Sequence, residues 1–180
     1  MKATWVQMVL LACVVAFVTG CDCKPSMVER DVKVSLDESL RESDGRLKSV
    51  QVDVIAVSDA ELQRWQTVPV DTYWAPGGSG LFTTADKKTL AFSFQENVTS
   101  KTLPATDPVW NNWKQKGAMD LVLVARIPGL SGGGGAGAAD PRRLIITLNG
   151  CRWDDTKKPL EIRVSSAGLT SLSQPKPPKK

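Results

Sequence analysis

The chain has 180 residues, 42% hydrophobic and 23% charged. These proportions suit one globular domain with a packed core, and exclude a disordered chain, a polytopic membrane protein and a multidomain machine. It has no histidine and four cysteines, which removes the commonest general base, the Ser-His-Asp and Cys-His constellations and the histidine-bearing zinc sites. The net charge of +4 sits at the ends: without Lys2, Lys176, Lys179 and Lys180, nineteen basic residues face nineteen acidic ones. The body is therefore nearly neutral and lacks the basic face of a nucleic-acid binder.

At the N-terminus, Met1-Lys2 supplies one positive charge. No charge follows from Ala3 to Gly20, and the densest apolar run is Val6 to Val18. A spanning helix needs about 20 apolar residues; this run is shorter and ends in Thr19-Gly20 before Cys21, so residues 1–20 read as a cleaved signal segment. Val18-Thr19-Gly20-Cys21 resembles the lipobox of bacterial lipoproteins. The resemblance implies a diacylglyceryl thioether on Cys21 and an acyl chain on its amine. At about 0.8 kcal/mol per buried methylene, several such chains hold a soluble domain on a bilayer where one does not. The expected address is the bacterial cell envelope, lipid-anchored with the domain in the periplasm. The outer membrane is weighed against the inner, because Asp22 stands where enteric lipoproteins carry an inner-membrane retention residue. Cys13 leaves with the signal and Cys21 takes lipid, so Cys23 and Cys151 remain, to pair in an oxidising compartment or to stay as two thiols. Two thiolates without histidine make no structural zinc site.

Residues 21–30 read as a tether, 31–172 as one domain, and 173–180, rich in proline and lysine, as a disordered, solvated tail. Within the domain the apolar period is two. Val32, Val34 and Leu36 mark a first strand; Val50, Val52 and Val54 mark a second, with Ile55 and Val57 on its other face; Leu90, Phe92 and Phe94 mark a third. Met119 to Ile127 reads as a central strand, with Leu121 and Leu123 on one face and Val122 and Val124 on the other. Leu144 to Leu148 and Leu160 to Val164 follow, separated by the Asn149-Gly150 turn. Ser58-Asp59-Ala60-Glu61 is a capping-box pattern that predicts a short helix. Asp107-Pro108 predicts a second, ending at Gly117 with Val109, Trp110 and Trp113 inward. The expected fold is mainly β: a single antiparallel β-sandwich of transthyretin or immunoglobulin type, with short helices in its connections.

Few motifs carry chemistry. Gly129, Gly132 to Gly135 and Gly137 lead into a strand and no Gly-Lys-Ser/Thr follows, so the run reads as a connection and not as a nucleotide site. Asp154-Asp155, in a charged turn with Lys157-Lys158, is the one adjacent aspartate pair and a weak candidate for acid/base or calcium chemistry. No Ser-x-x-Lys stands in a helical context. Trp65, Tyr73 and Trp74, with Trp153, are aromatics on turn-rich segments, which suit either a sugar-stacking surface or the cover of a small core.

The lipobox, a sandwich of this size, the passage Val52 to Ala60 with the short helix at Ser58 to Trp65, and the closing strand Leu160 to Val164 together resemble, over Val32 to Leu172, the small lipoprotein of the type VI secretion membrane complex. The resemblance implies a transthyretin-like sandwich without catalytic residues or cofactor, whose early loop holds an inner-membrane or periplasmic protein. By that likeness the partner-binding residues are Glu38, Arg41, Glu42, Asp44 and Arg46 in the loop Asp37 to Lys48. The expected function is a non-enzymatic membrane-anchored scaffold or tether. The alternative is a carbohydrate or cell-wall binding module using Trp65, Tyr73, Trp74 and Trp153.

Overall fold

The computed structural model describes residues 23–76, 86–131 and 139–177. The signal segment, Cys21, Asp22, Gly132 to Gly135, Gly137, Lys179 and Lys180 lie outside them. Among the described residues eight strands form two four-stranded sheets. Sheet I has the order β4-β1-β7-β8, from β1 (Val32–Leu36), β4 (Ser100–Leu103), β7 (Leu160–Ser165) and β8 (Gly168–Ser171). Sheet II has the order β3-β2-β5-β6, from β2 (Val50–Val57), β3 (Lys87–Phe92), β5 (Asp120–Arg126) and β6 (Arg143–Thr147). The main-β sandwich is as expected, with one change of pairing: β1 and β7 run parallel, Val32 opposite Leu160 and Leu36 opposite Val164. A parallel pair needs a long crossover, and here all four strands of sheet II lie between the two strands in sequence.

The alternation read from the sequence is what packs the sheets. Val32, Val34, Leu160, Ile162 and Val164 from sheet I meet Val50, Val52, Val54, Leu121, Leu123 and Ile146 from sheet II in one buried cluster. Both faces of β5 are buried, as a central strand requires, because Val122 and Val124 belong with Ile55 and Val57 to a second cluster on the outer face of sheet II. That face is covered by α1 (Asp59–Thr67) and α2 (Val70–Trp74) through Trp65, Val70 and Tyr73. The molecule thus has three layers. The capping box at α1 is formed: the Ser58 amide and Oγ both donate to Glu61 Oε2, at 3.0 and 2.9 Å. Helix α3 (Val109–Gln115) starts where Asp107 Oδ1 accepts from the Val109 amide and buries Trp110 and Trp113 edge to face.

Two strands and one helix have no counterpart in the periodicity. β4 and β8 are four residues each, too short for an alternation to register, and α2 hides between Pro69 and Pro76. The third strand ends at Phe92, which pairs with Val50, the first residue of β2. Phe94 therefore has no partner strand and stands exposed in the following turn.

Parts of the expected tether and tail segments contact the domain. Cys23 is joined to Cys151 by a disulfide with Cα atoms 5.7 Å apart. Met27 bridges Asn149, and the Val28 amide donates to Leu148 O. Arg30 is buried over the Trp153 ring and donates to the Lys158 and Asp155 carbonyls. At the other terminus Lys176 is held by Arg152 through its backbone and by Asp154 through Nζ, at 2.7 Å. Among the described residues no helix is long and apolar enough to cross a membrane, and no group of metal-ligating side chains is assembled.

Candidate functional site

Strand direction sorts the candidate residues between two ends of the sandwich. β1 runs from Val32 to Leu36 and β2 restarts at Val50, so the loop 37–48 lies at the end where β1 and β7 finish. Cys23 precedes β1, and Cys151 lies between the end of β6 and the start of β7, so the disulfide sits at the opposite end.

The loop is folded. Leu40 and Leu47 are buried in the main core and pin both of its legs. A 3-10 turn at Glu38–Leu40 is capped by Asp37, whose Oδ1 accepts from the Ser39 amide at 2.9 Å. Arg41 and Leu47 form an isolated bridge, and Gly45, at φ +83, closes the tip with its amide donating to Glu42 O. The five predicted residues come together here but play two parts. Arg41 donates to Glu38 through Nε and Nη2, at 2.6 and 3.0 Å, and to the Gly45 carbonyl at 2.7 Å. That fork holds the Glu38 carboxyl below its usual range and locks the loop. Glu42, Asp44 and Arg46 remain exposed at the tip, with the Asp44 carboxylate 3.5 Å from Arg46.

The aromatic alternative meets a different geometry. Trp65, Tyr73 and Trp153 are 6, 9 and 7% exposed. Trp65 and Tyr73 pack against the outer face of sheet II, and Trp153 donates from Nε1 to the Thr147 carbonyl inside the main core. Rings that seal a core offer no face to a sugar. Trp74 alone is half exposed, packed edge to face on Tyr73. Asp154 pairs with Lys176 and Asp155 caps its own turn through the Lys157 amide, so the two carboxylates do not converge on a common point.

Charged residues that the sequence reading passed over turn out to fasten the third layer. Asp53, 0% exposed, accepts from Thr89 Oγ1 (2.6 Å), Tyr73 OH (2.6 Å), Lys87 Nζ (3.0 Å) and Gln51 Nε2 (3.3 Å). Burial works to raise its carboxyl, but these donors outweigh it and hold the group ionised below its ordinary range. Burial and the Asp53 carboxylate together push the Tyr73 hydroxyl above its own. Buried Arg142 donates to Asp140 at 2.8 Å and reaches Asp71 of α2 at 2.6 Å. Arg143 donates to the Gln66 and Val68 carbonyls at the C-terminal end of α1. The signal was a charge inside an apolar strand: Asp53 shares its face with Ile55 and Val57.

No protein-family model matches the chain, and no curated protein matches it. Solved structures do. The chain is similar to the C-terminal domain of the type VI secretion protein TssM from EAEC, with a TM-score of 0.52, 14% identity, and coverage of 79% of this chain and 98% of that one. It is similar to a chain of a type VI membrane complex at a TM-score of 0.54 and 15% identity, over 82% of this chain and 100% of that one. The lipoprotein TssJ1 from Pseudomonas aeruginosa aligns over 86% of this chain and 100% of its own at 11% identity, with a TM-score of 0.49. At such identities the likeness is one of fold, and the fold is one that type VI secretion membrane-complex components also have.

Proposed function

We propose that this chain is a non-catalytic lipoprotein of the bacterial cell envelope that tethers a periplasmic or inner-membrane protein within a secretion-system membrane complex. The observation that carries the reading is the opposition of the two ends. Cys23, two residues beyond the lipobox cysteine, is bolted to Cys151 at one end, and the charged loop 37–48 projects from the other. The fold likeness to a type VI membrane complex over 82% of the chain supports it. Acyl chains on Cys21 confine the domain to a surface, and confinement raises the effective concentration of any partner held in the same envelope, so a weak interface suffices. Glu42, Asp44 and Arg46 then act as rim charges that set registry and on-rate more than affinity. The rigid sandwich between the ends keeps the loop a fixed distance from the bilayer.

The test pairs two perturbations in intact cells. Cys21→Ser is expected to leave a folded domain, shift it from the membrane fraction to the soluble one, and abolish function. A crosslinker placed at Glu42 is expected to capture a membrane-complex protein in the lipidated chain. A fully active soluble Cys21→Ser variant overturns the tether.

A further inference from the structure

The segment that leads into β1 leaves little slack beside the cysteine that the lipobox assigns to lipid. From Ser26 to Arg30 it is laid on the domain. The Gly150 amide donates to the Ser26 carbonyl at 2.9 Å, Met27 bridges Asn149, and the Val28 amide donates to the Leu148 carbonyl at 2.9 Å. Arg30 is buried over the Trp153 ring. The fit is close: a Cβ on Gly150 would meet Val28 Cγ2 at 2.6 Å. Ahead of this contact Cys23, Lys24 and Pro25 are exposed, and Cys23 is fixed a second time, to Cys151, with Cα atoms 5.7 Å apart.

Covalent geometry turns this arrangement into a reach. A chain extends at most about 3.6 Å per residue. With the disulfide closed, Cys21 is two positions from a fixed residue and stays within about 7 Å of it. That is less than the roughly 10 Å between two packed sheets, so the closed form holds Cys21 against the body of the domain. With the disulfide open, the next backbone contact is at Ser26, five positions away, and the reach grows to about 18 Å. The Gly20–Cys21 peptide bond gains the same slack. An enzyme that acts on a chain segment needs that backbone exposed and not tied to the fold, and one that acts at a bilayer must also draw the segment to itself. The open form meets both needs and the closed form does not.

We infer that the Cys23–Cys151 bond is the last step of maturation, and that closing it early shuts Cys21 to lipid and residues 1–20 to cleavage. In the acyl-carrying step the Cys21 thiol loses its proton and its sulfur bonds a glyceryl carbon of a diacylglyceryl lipid. The leaving group on that carbon departs with the electron pair. Cleavage hydrolyses the Gly20–Cys21 peptide bond with one water. Only then does a disulfide oxidant take two electrons and two protons from Cys23 and Cys151, and it is itself reduced to two thiols. Thiol chemistry favours the same order. Before it is alkylated Cys21 competes with Cys23 for Cys151, since exchange lets one thiolate displace another with no net oxidation, whereas a thioether takes no part in exchange. The inference rests on the tether reading and adds to it the class of reaction that must follow lipid transfer, an envelope thiol oxidation.

Pulse-labelling of the full chain in intact cells with an alkyne fatty acid, followed by an acid quench, tests it. Each chain is scored for tracer, for loss of residues 1–20 and for free thiols by a maleimide mass tag. Tracer is expected first in chains whose Cys23 and Cys151 still take the tag, and later in closed chains without residues 1–20. A small-molecule thiol oxidant added before the pulse is expected to yield chains closed through Cys23, as peptide mapping reads, that keep residues 1–20 and carry no tracer. Inserting about ten glycine and serine residues after Asp22 lengthens the reach and leaves the disulfide as it is. Under the same oxidant this variant is expected to regain tracer and cleavage while closed. Tracer entering closed unmodified chains as fast as open ones, or closed insertion chains that stay unlabelled, overturns the order and leaves the tether standing. Tracer absent from every chain, with or without oxidant, overturns the tether reading and the order with it.

Discussion

Opening the Cys23–Cys151 disulfide is the perturbation with the most calculable outcome. The bond closes a loop spanning 128 positions, nearly the whole domain, so its main effect is to shrink the unfolded ensemble. On the chain-entropy relation a loop of about 100 residues gives roughly 4.7 kcal/mol, and lengthening it to 128 adds about 0.2 kcal/mol, for a total near 5 kcal/mol. In the folded state the bond is backed by little: the Met27–Asn149 bridge and the Val28 and Gly150 amides on Leu148 O and Ser26 O. The remaining structure can therefore stay in place while the unfolded state gains its freedom. With a urea slope of about 2 kcal/mol per molar, the unfolding midpoint of Cys151→Ala is expected about 2.5 M below that of the oxidised chain. Unfolding followed by tryptophan fluorescence, with and without reductant, measures it. A midpoint shift under about 0.5 M at unchanged slope would refute the reasoning, because the denatured chain would then already be compact at this closure or the bond would be opposed by strain in the fold.

The remaining predictions address the third layer and the loop. Asp53→Ala strips the acceptor from Tyr73, Thr89 and Lys87 and is expected to destabilise by about 3 kcal/mol, at the low end for a broken buried pair because Lys87 can turn to water; equilibrium urea unfolding gives the value. Because the folded Asp53 carboxyl is depressed, the unfolded chain takes up the proton first. This contribution is complete above about pH 5, and is lost as pH falls through the depressed value. Asp53→Asn should flatten that acid limb, and an unchanged limb would remove Asp53 as its source. Gly168 starts β8 at φ +127, and a Cβ there would sit 2.3 Å from the Pro141 carbonyl oxygen. Gly168→Ala is expected to lose more than about 2 kcal/mol, since both the conformation and the contact oppose it, and thermal melting at a wild-type midpoint would contradict this. Exchanging the tip charges with Glu42→Arg and Arg46→Glu should leave the melting curve unmoved and slow partner association, a slowing that added salt weakens.

Local pattern alone was enough for the framework. The alternation at Val32 to Leu36, Val50 to Val57 and Leu160 to Val164, the capping box at Ser58 and the Asp107-Pro108 helix start are interactions between residues a few positions apart, so their signals are contained in short windows. The charged loop was legible for the same reason, as a polar stretch between two apolar strands. What local pattern lacks is the identity of neighbours. The four-residue strands β4 and β8 exist because β1 and β7 offer them free edges, and Phe94 left the third strand because β2 offers no residue beyond Val50 to pair with it. In sequence Trp65 and Tyr73 suit either a ligand-stacking surface or the cover of a core, and only the folding of α1 and α2 back over sheet II makes them cover. Asp53, Arg142 and Arg143 look solvent-seeking in sequence, and burial becomes tolerable only once Tyr73, Asp71, Asp140 and the carbonyls at the end of α1 arrive from elsewhere to satisfy them. The sequence by itself determined the longer strands, the lipobox-like motif and the charged loop, because each is written within one segment. The tertiary structure alone decided the parallel β1–β7 pair, the third layer and the disulfide, because each depends on which distant segments meet.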